Sequence, residues 1–123
     1  MKILVADDSM FVRRIITKTL QEKFPDAELF ICSDGKGAYE SYLANIPDVL
    51  ITDLLMPEMT GQELLCKLKE NGFKVPSIVI SADIQNATKE ELDSIGITEF
   101  INKPFSSEKL IKLVELIKEV CNA

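Results

Sequence analysis

The chain has 123 residues, with 14 Lys+Arg against 20 Asp+Glu for a formal charge of −6, and it contains no histidine. A Ser-His-Asp or Cys-His site, a histidine general base and a His-ligated zinc are therefore impossible within it, so carboxylates, hydroxyls and amines must carry its chemistry. At 46% hydrophobic and 28% charged, the composition is that of a globular domain able to bury roughly two-thirds of its surface, not of a disordered or disulfide-stapled chain.

Short apolar runs alternate with amphipathic ones. Ile3-Leu4-Val5-Ala6 lacks the polar alternation of a half-exposed strand and reads as a strand covered on both faces. From about Ser9 to Phe24, Val12, Ile15, Ile16, Thr19 and Leu20 share one helical face, with Arg13, Arg14, Lys18 and Gln21 mostly away from it. Glu28 to Cys32 is the second strand, and Asp34 caps a second helix that runs to about Asn45, before Pro47. Val49-Leu50-Ile51 is the third strand. Thr60-Gly61-Gln62-Glu63 is a capping box that opens a third helix, closed by Gly72. Ile78-Val79-Ile80 is the fourth strand, followed by a helix that starts at Asn86 or Thr88 and stops before Gly96. Thr98 to Ile101 is the fifth strand, and Ser106-Ser107-Glu108 starts a fifth helix striped with Leu110, Leu113, Val114, Ile117 and Cys121.

Strand and helix alternate five times, which predicts a doubly wound α/β fold: a five-stranded parallel sheet with right-handed crossovers and five helices shared between its faces. One domain is expected over residues 1–123. No apolar run approaches the roughly 18 residues that span a bilayer, and an acidic chain without a basic cluster is not built for nucleic acid. A soluble, cytoplasmic protein is expected, with no membrane or nucleic-acid partner. Cys32, Cys66 and Cys121 show neither disulfide nor metal spacing and are expected to be reduced, buried side chains.

In such folds the ligand site lies outside the carboxyl ends of the strands, near the point where strand order reverses. Those ends carry Asp7-Asp8 after the first strand, Asp53 after the third, Ser81 after the fourth and Lys103 after the fifth. Each alone reads as a turn or cap residue, or as a solvated lysine. Gathered on one rim they conflict, because two unit charges about 4 Å apart repel by about 4 kcal/mol at an effective dielectric of about 20. A cation is implied. All-oxygen ligation by few carboxylates suits Mg²⁺ better than a full Ca²⁺ cage, and no EF-hand spacing is present. A metal beside a carboxylate, a lysine and a hydroxyl is the equipment for phosphoryl transfer. Asp53, alone at the end of a central strand, is a better covalent acceptor than the adjacent Asp7-Asp8 pair.

Four motifs carry a family resemblance: Val5-Ala6-Asp7-Asp8-Ser9, Asp53-Leu54-Leu55-Met56-Pro57-Glu58-Met59-Thr60-Gly61, Ser81-Ala82, and Phe100-Ile101-Asn102-Lys103-Pro104-Phe105. In this order and spacing the chain resembles a receiver domain of two-component response regulators, closest to the single-domain chemotaxis type. The resemblance implies a flavodoxin-like sheet of order 2-1-3-4-5. It implies that Asp53 accepts a phosphoryl group from the phosphohistidine of a sensor histidine kinase. Asp8, Asp53 and the backbone carbonyl of Leu55 would ligate Mg²⁺, Asp7 would act largely through metal-bound water, and Lys103 would pair with a phosphoryl oxygen. Ser81 and Phe100 would form the switch: the hydroxyl moves towards the phosphoryl group and the aromatic ring turns inward, altering the surface of the fourth helix, fifth strand and fifth helix. That surface would bind a protein target such as a flagellar motor switch, and a phosphatase would reset the signal. The Lys103-Pro104 peptide would be cis, which proline makes affordable.

Three positions depart from the family's usual pattern. Ser81 stands where Thr is common, Phe100 where Tyr is found in the chemotaxis type, and Leu55 where a polar side chain often orients water. The expected protein is a phosphorylation-activated signalling acceptor, not a metabolic enzyme, able to catalyse its own phosphotransfer and a slow autodephosphorylation. With nothing beyond the fifth helix to act as an output domain, the signal is expected to leave by protein contact. A phosphorelay intermediate and a receiver excised from a larger regulator are alternatives. A flavodoxin-like cofactor binder fits poorly, because Asp7-Asp8 would repel the cofactor's phosphate. An aspartyl-phosphate phosphatase of the haloacid-dehalogenase type spaces its paired aspartates one residue apart on a single loop, unlike this chain. Phe105 is expected to staple the fifth helix; Ile111 and Leu116, off its main stripe, are candidates for a docking surface.

Overall fold

The computed structural model describes residues 1–81, 97–103 and 105–121. Its elements are β1 (Lys2–Ala6), α1 (Met10–Lys23), β2 (Glu28–Cys32), α2 (Gly35–Asn45), β3 (Val49–Asp53), α3 (Gly61–Glu70), β4 (Ser77–Ser81), β5 (Glu99–Asn102) and α4 (Ser107–Val120). The helix expected between Asn86 or Thr88 and Gly96 lies outside the described residues, as do Ala82 and the Pro104 of the expected cis peptide.

All neighbouring strands pair in parallel, in the order β2-β1-β3-β4-β5. The period-2 alternation of a strand divides each apolar run between two cores. Leu4, Ala6, Leu50 and Val79 face α2 and α3, where they meet Ala38, Tyr42, Leu64 and Leu68. Ile3, Val5, Val49, Ile51, Ile78, Ile80 and Ile101 face the other way, against Ile16 and Leu20 of α1 and Leu113 and Ile117 of α4. Both faces are covered, which is why these strands carry no polar alternation. Phe105 and Leu116 pack against the second core, whereas Ile111 is exposed.

Local chemistry sets where each helix begins. Ser9, Asp34 and Ser106 each accept a hydrogen bond from the backbone N–H three residues on, and Thr60 and Glu63 complete a reciprocal capping box. Gly61 meets a stricter demand: a Cβ there would stand 2.0 Å from the Asp53 carbonyl oxygen, and its N–H donates to the Leu54 carbonyl at 2.9 Å. A residue with a side chain would push the start of α3 away from the end of β3. The three cysteines are free and only partly buried, because Cys32 lies on an edge strand, Cys66 on the flank of α3 and Cys121 at the end of α4.

Strand order reverses between β1 and β3, so the crevice expected to hold a ligand opens beyond Ala6 and Thr52, the last residues that pair between those two strands.

Candidate functional site

Asp53 is the last residue of β3 and is 5% exposed. Its Oδ1 accepts hydrogen bonds from the backbone N–H groups of Leu54 at 2.7 Å and Leu55 at 3.3 Å. Its Oδ2 accepts one from the Lys103 ammonium at 2.8 Å. The backbone turn after β3 thus holds one oxygen of this carboxylate, and the residue that follows β5 holds the other.

Asp7 follows β1 directly and is 1% exposed. Its N–H extends the ladder to β2 by donating to the Cys32 carbonyl at 3.1 Å. Oδ1 accepts from the Ser9 N–H at 2.8 Å. Oδ2 stands 2.8 Å from the Lys103 ammonium, yet it has no hydrogen bond of proper alignment, so this contact is an ion pair with a lone pair left unsaturated. Asp8 is exposed, and among the described residues nothing holds its carboxylate.

One oxygen from each of Asp7, Asp8 and Asp53 lies within 4.8 Å of the others. Two of these three carboxylates share one ammonium, and the environment registers the conflict. Burial raises the Asp7 carboxyl above its ordinary pKa despite the opposing pull of Lys103 and the Ser9 N–H, and the Asp53 charge adds to the rise. For Lys103, burial works downward, but the hydrogen bond to Asp53 and the ion pairing with Asp7 and Asp53 outweigh it and hold the ammonium above its ordinary pKa. A hard divalent cation fits this donor set: the ligands are all oxygen, the cluster is net negative, the Oδ2 of Asp7 has an ion pair but no hydrogen bond, and the Asp8 carboxylate is unheld among the described residues.

The rim therefore gathers Asp7, Asp8, Asp53 and Lys103. Ser81 ends β4, fully buried, beside the strand of Asp53, and its carbonyl accepts the Lys103 N–H at 2.9 Å. Phe100 is paired in register with Val79 and is half-buried against the core that contains Leu4 and Leu50. The Leu55 side chain is exposed. One residue near the site escaped the sequence pattern: Arg13, assigned to the outer face of α1, donates from Nη1 to the Asp7 carbonyl at 2.7 Å. The available signal was a long cation one turn into the helix that follows the acidic loop.

A parallel 2-1-3-4-5 sheet with an acidic cluster and a lysine at its switch point defines an α/β domain of the receiver class. The response regulator receiver domain family matches residues 3–115, and the chain belongs to that family. It is 37% identical over 120 residues to the chemotaxis protein CheY1 of Helicobacter pylori, covering 95% of this chain and 96% of that one. It is 33% identical over 113 residues to a protein-glutamate methylesterase/protein-glutamine glutaminase of Treponema denticola; the match covers 87% of this chain but only 29% of that protein's length. Among solved structures, the chemotaxis response regulator CheY4 of Vibrio cholerae superposes with a TM-score of 0.79 at 29% identity, covering 94% of this chain and 97% of that one. Among the described residues no helix is long and apolar enough to cross a membrane.

Proposed function

We propose that the chain is a single receiver domain acting in the cytoplasm as a phosphorylation-activated switch, with Asp53 as phosphoacceptor. The observation that carries this reading is the Lys103 ammonium placed 2.8 Å from both Asp53 and Asp7, beside a third carboxylate. An oxygen of the Asp53 carboxylate attacks the phosphorus of a partner kinase's phosphohistidine. The P–N bond breaks, its electron pair stays on the imidazole nitrogen, and an acyl phosphate remains on Asp53. The Leu54 and Leu55 N–H groups hold the carboxylate plane during the attack, and Lys103 is placed to exchange its contact with Asp53 for a phosphoryl oxygen. Asp8, Asp53 and the Leu55 carbonyl would hold Mg²⁺, with Asp7 acting through its bound water, and the ion would supply charge neutralisation.

Phosphorylation adds about −1.5 to −2 charge at a site already rich in acid. Reversing a two-state population from 1:99 to 99:1 takes about 5.5 kcal/mol of differential interaction, within reach of a few charge-assisted bonds. Ser81 and Phe100 convert that energy into a new surface on the expected fourth helix, β5 and α4, which binds a downstream protein. The near full-length match to a chemotaxis protein supports a role in chemotaxis, with a motor-switch target and a phosphatase. The relatives that extend far beyond this chain support a second reading, a phosphorelay intermediate or the receiver portion of a longer regulator.

Incubation with a small acyl phosphate, with and without Mg²⁺, followed by intact mass, tests the proposal. One added phosphoryl group in the presence of Mg²⁺ is expected. Equal labelling of Asp53→Asn would overturn it.

A further inference from the structure

We infer that Arg13 is a positioning residue for the cation site, acting through the Asp7–Asp8 peptide; the inference rests on the proposed role of Asp8 as a cation ligand. Asp8 is the one carboxylate of the cluster with no hydrogen bond or ion pair among the described residues, so only its backbone determines where its oxygens can go. That backbone is held at its leading peptide. Beyond the Asp7 N–H the ladder to β2 ends, and the Asp7 carbonyl takes its partner from α1: Arg13 Nη1 donates to it at 2.7 Å. Helical side chains lean towards the helix N-terminus, which lets a residue in the first turn of α1 reach back over the loop. The bond is charge-assisted and short, and it locks the peptide plane from which Asp8 projects. On the other side, Ser9 is fixed by its N–H to Asp7 Oδ1 at 2.8 Å and by its carbonyl to the Arg13 N–H at 3.0 Å. The Arg13 side chain thus holds the peptide leading into Asp8, while the first backbone hydrogen bond of α1 holds the residue after it.

Positioning and simple electrostatics predict opposite signs. Removing a positive charge beside an acidic cluster should tighten cation binding; losing the hold on that peptide should weaken it. The test is Mg²⁺ titration of wild type, Arg13→Met, Arg13→Lys and Asp8→Asn by isothermal calorimetry, with circular dichroism to verify folding. Loss of an outer partner of a metal ligand costs about 10- to 100-fold in affinity, and about tenfold is expected for Arg13→Met because one peptide, not the carboxylate itself, is released. Arg13→Lys, which can still donate one bond to the carbonyl, should recover most of that loss. Arg13→Met binding Mg²⁺ as tightly as wild type, or more tightly, overturns the inference, as does an Arg13→Lys variant no better than Arg13→Met. If Arg13→Met does not fold, Arg13→Lys and Arg13→Gln decide by the same ordering. Failure of wild type itself to bind Mg²⁺, or undiminished binding by Asp8→Asn, would instead overturn the cation-site reading beneath it.

Discussion

The Lys103 ammonium donates to Asp53 Oδ2 at 2.8 Å across 50 residues of sequence, tying the end of β3 to the turn after β5. The same ammonium stands 2.8 Å from Asp7 Oδ2, so one cation keeps two buried carboxylates apart. Replacing Lys103 by Met leaves both without a counter-charge, and removing one partner of a buried pair costs about 3–5 kcal/mol. We expect Lys103→Met to lose about 3 kcal/mol in urea unfolding without divalent cations, and adding Asp7→Asn to restore about half of the loss. Unchanged unfolding would show that the contact is inert.

Asp7 is the carboxylate whose burial is least compensated. In chelator at neutral pH, Asp7→Asn should be more stable than wild type by about 1 kcal/mol, because the amide removes a desolvated charge and its repulsion from Asp53. Mg²⁺ should reverse the order. At about a hundredfold its Kd, a ligand that binds only the folded chain adds about 2.7 kcal/mol, and the variant should gain far less. Thermal melts with chelator and with Mg²⁺ give both comparisons.

Ile46 closes α2 with φ 45° and ψ 71°, a left-handed conformation that costs a β-branched residue about 1–2 kcal/mol. Its side chain is 52% exposed, so little packing repays the strain. Ile46→Gly should raise stability by about 1 kcal/mol by denaturant unfolding. A loss of stability would mean that the remaining contacts outweigh the backbone term.

Tyr42 is 3% exposed, with its ring 5.0 Å from that of Phe73 in an edge-to-face arrangement. Burial raises its phenol above the ordinary value of 10.0. A folded-state pKa above the unfolded one means that its contribution is intact below about pH 10 and is lost as pH climbs through the raised value. Tyr42→Phe should therefore run parallel to wild type up to about pH 10 and gain on it above that, measured by urea midpoints at each pH; curves that stay parallel above pH 10 would refute this.

The caps were legible because capping is local: Asp34 and Thr60 announce α2 and α3 through side chains that reach only three residues. The rim was legible through topology, since alternating strands and helices place every strand's carboxyl end on one side, and Asp7, Asp8, Asp53 and Lys103 do converge. What escaped depends on side-chain geometry and sheet position. Arg13 lay off the apolar stripe of α1, and its bond to Asp7 follows from the direction a long side chain takes, which periodicity does not encode. The apolar segment around Cys32 predicts a buried thiol, but β2 is an edge strand and covers it only in part.

On the proposed reading Asp53 alone carries the phosphoryl group, and its product can be trapped chemically. After incubation with an acyl phosphate and Mg²⁺, borohydride reduces an aspartyl phosphate to homoserine, and peptide mass spectrometry then locates the residue changed. Homoserine at position 53 alone, absent when Mg²⁺ is withheld, is the expected result. Homoserine at position 7 or 8, or an unchanged Asp53 in protein that has gained a phosphoryl group, would rule out Asp53 as the acceptor.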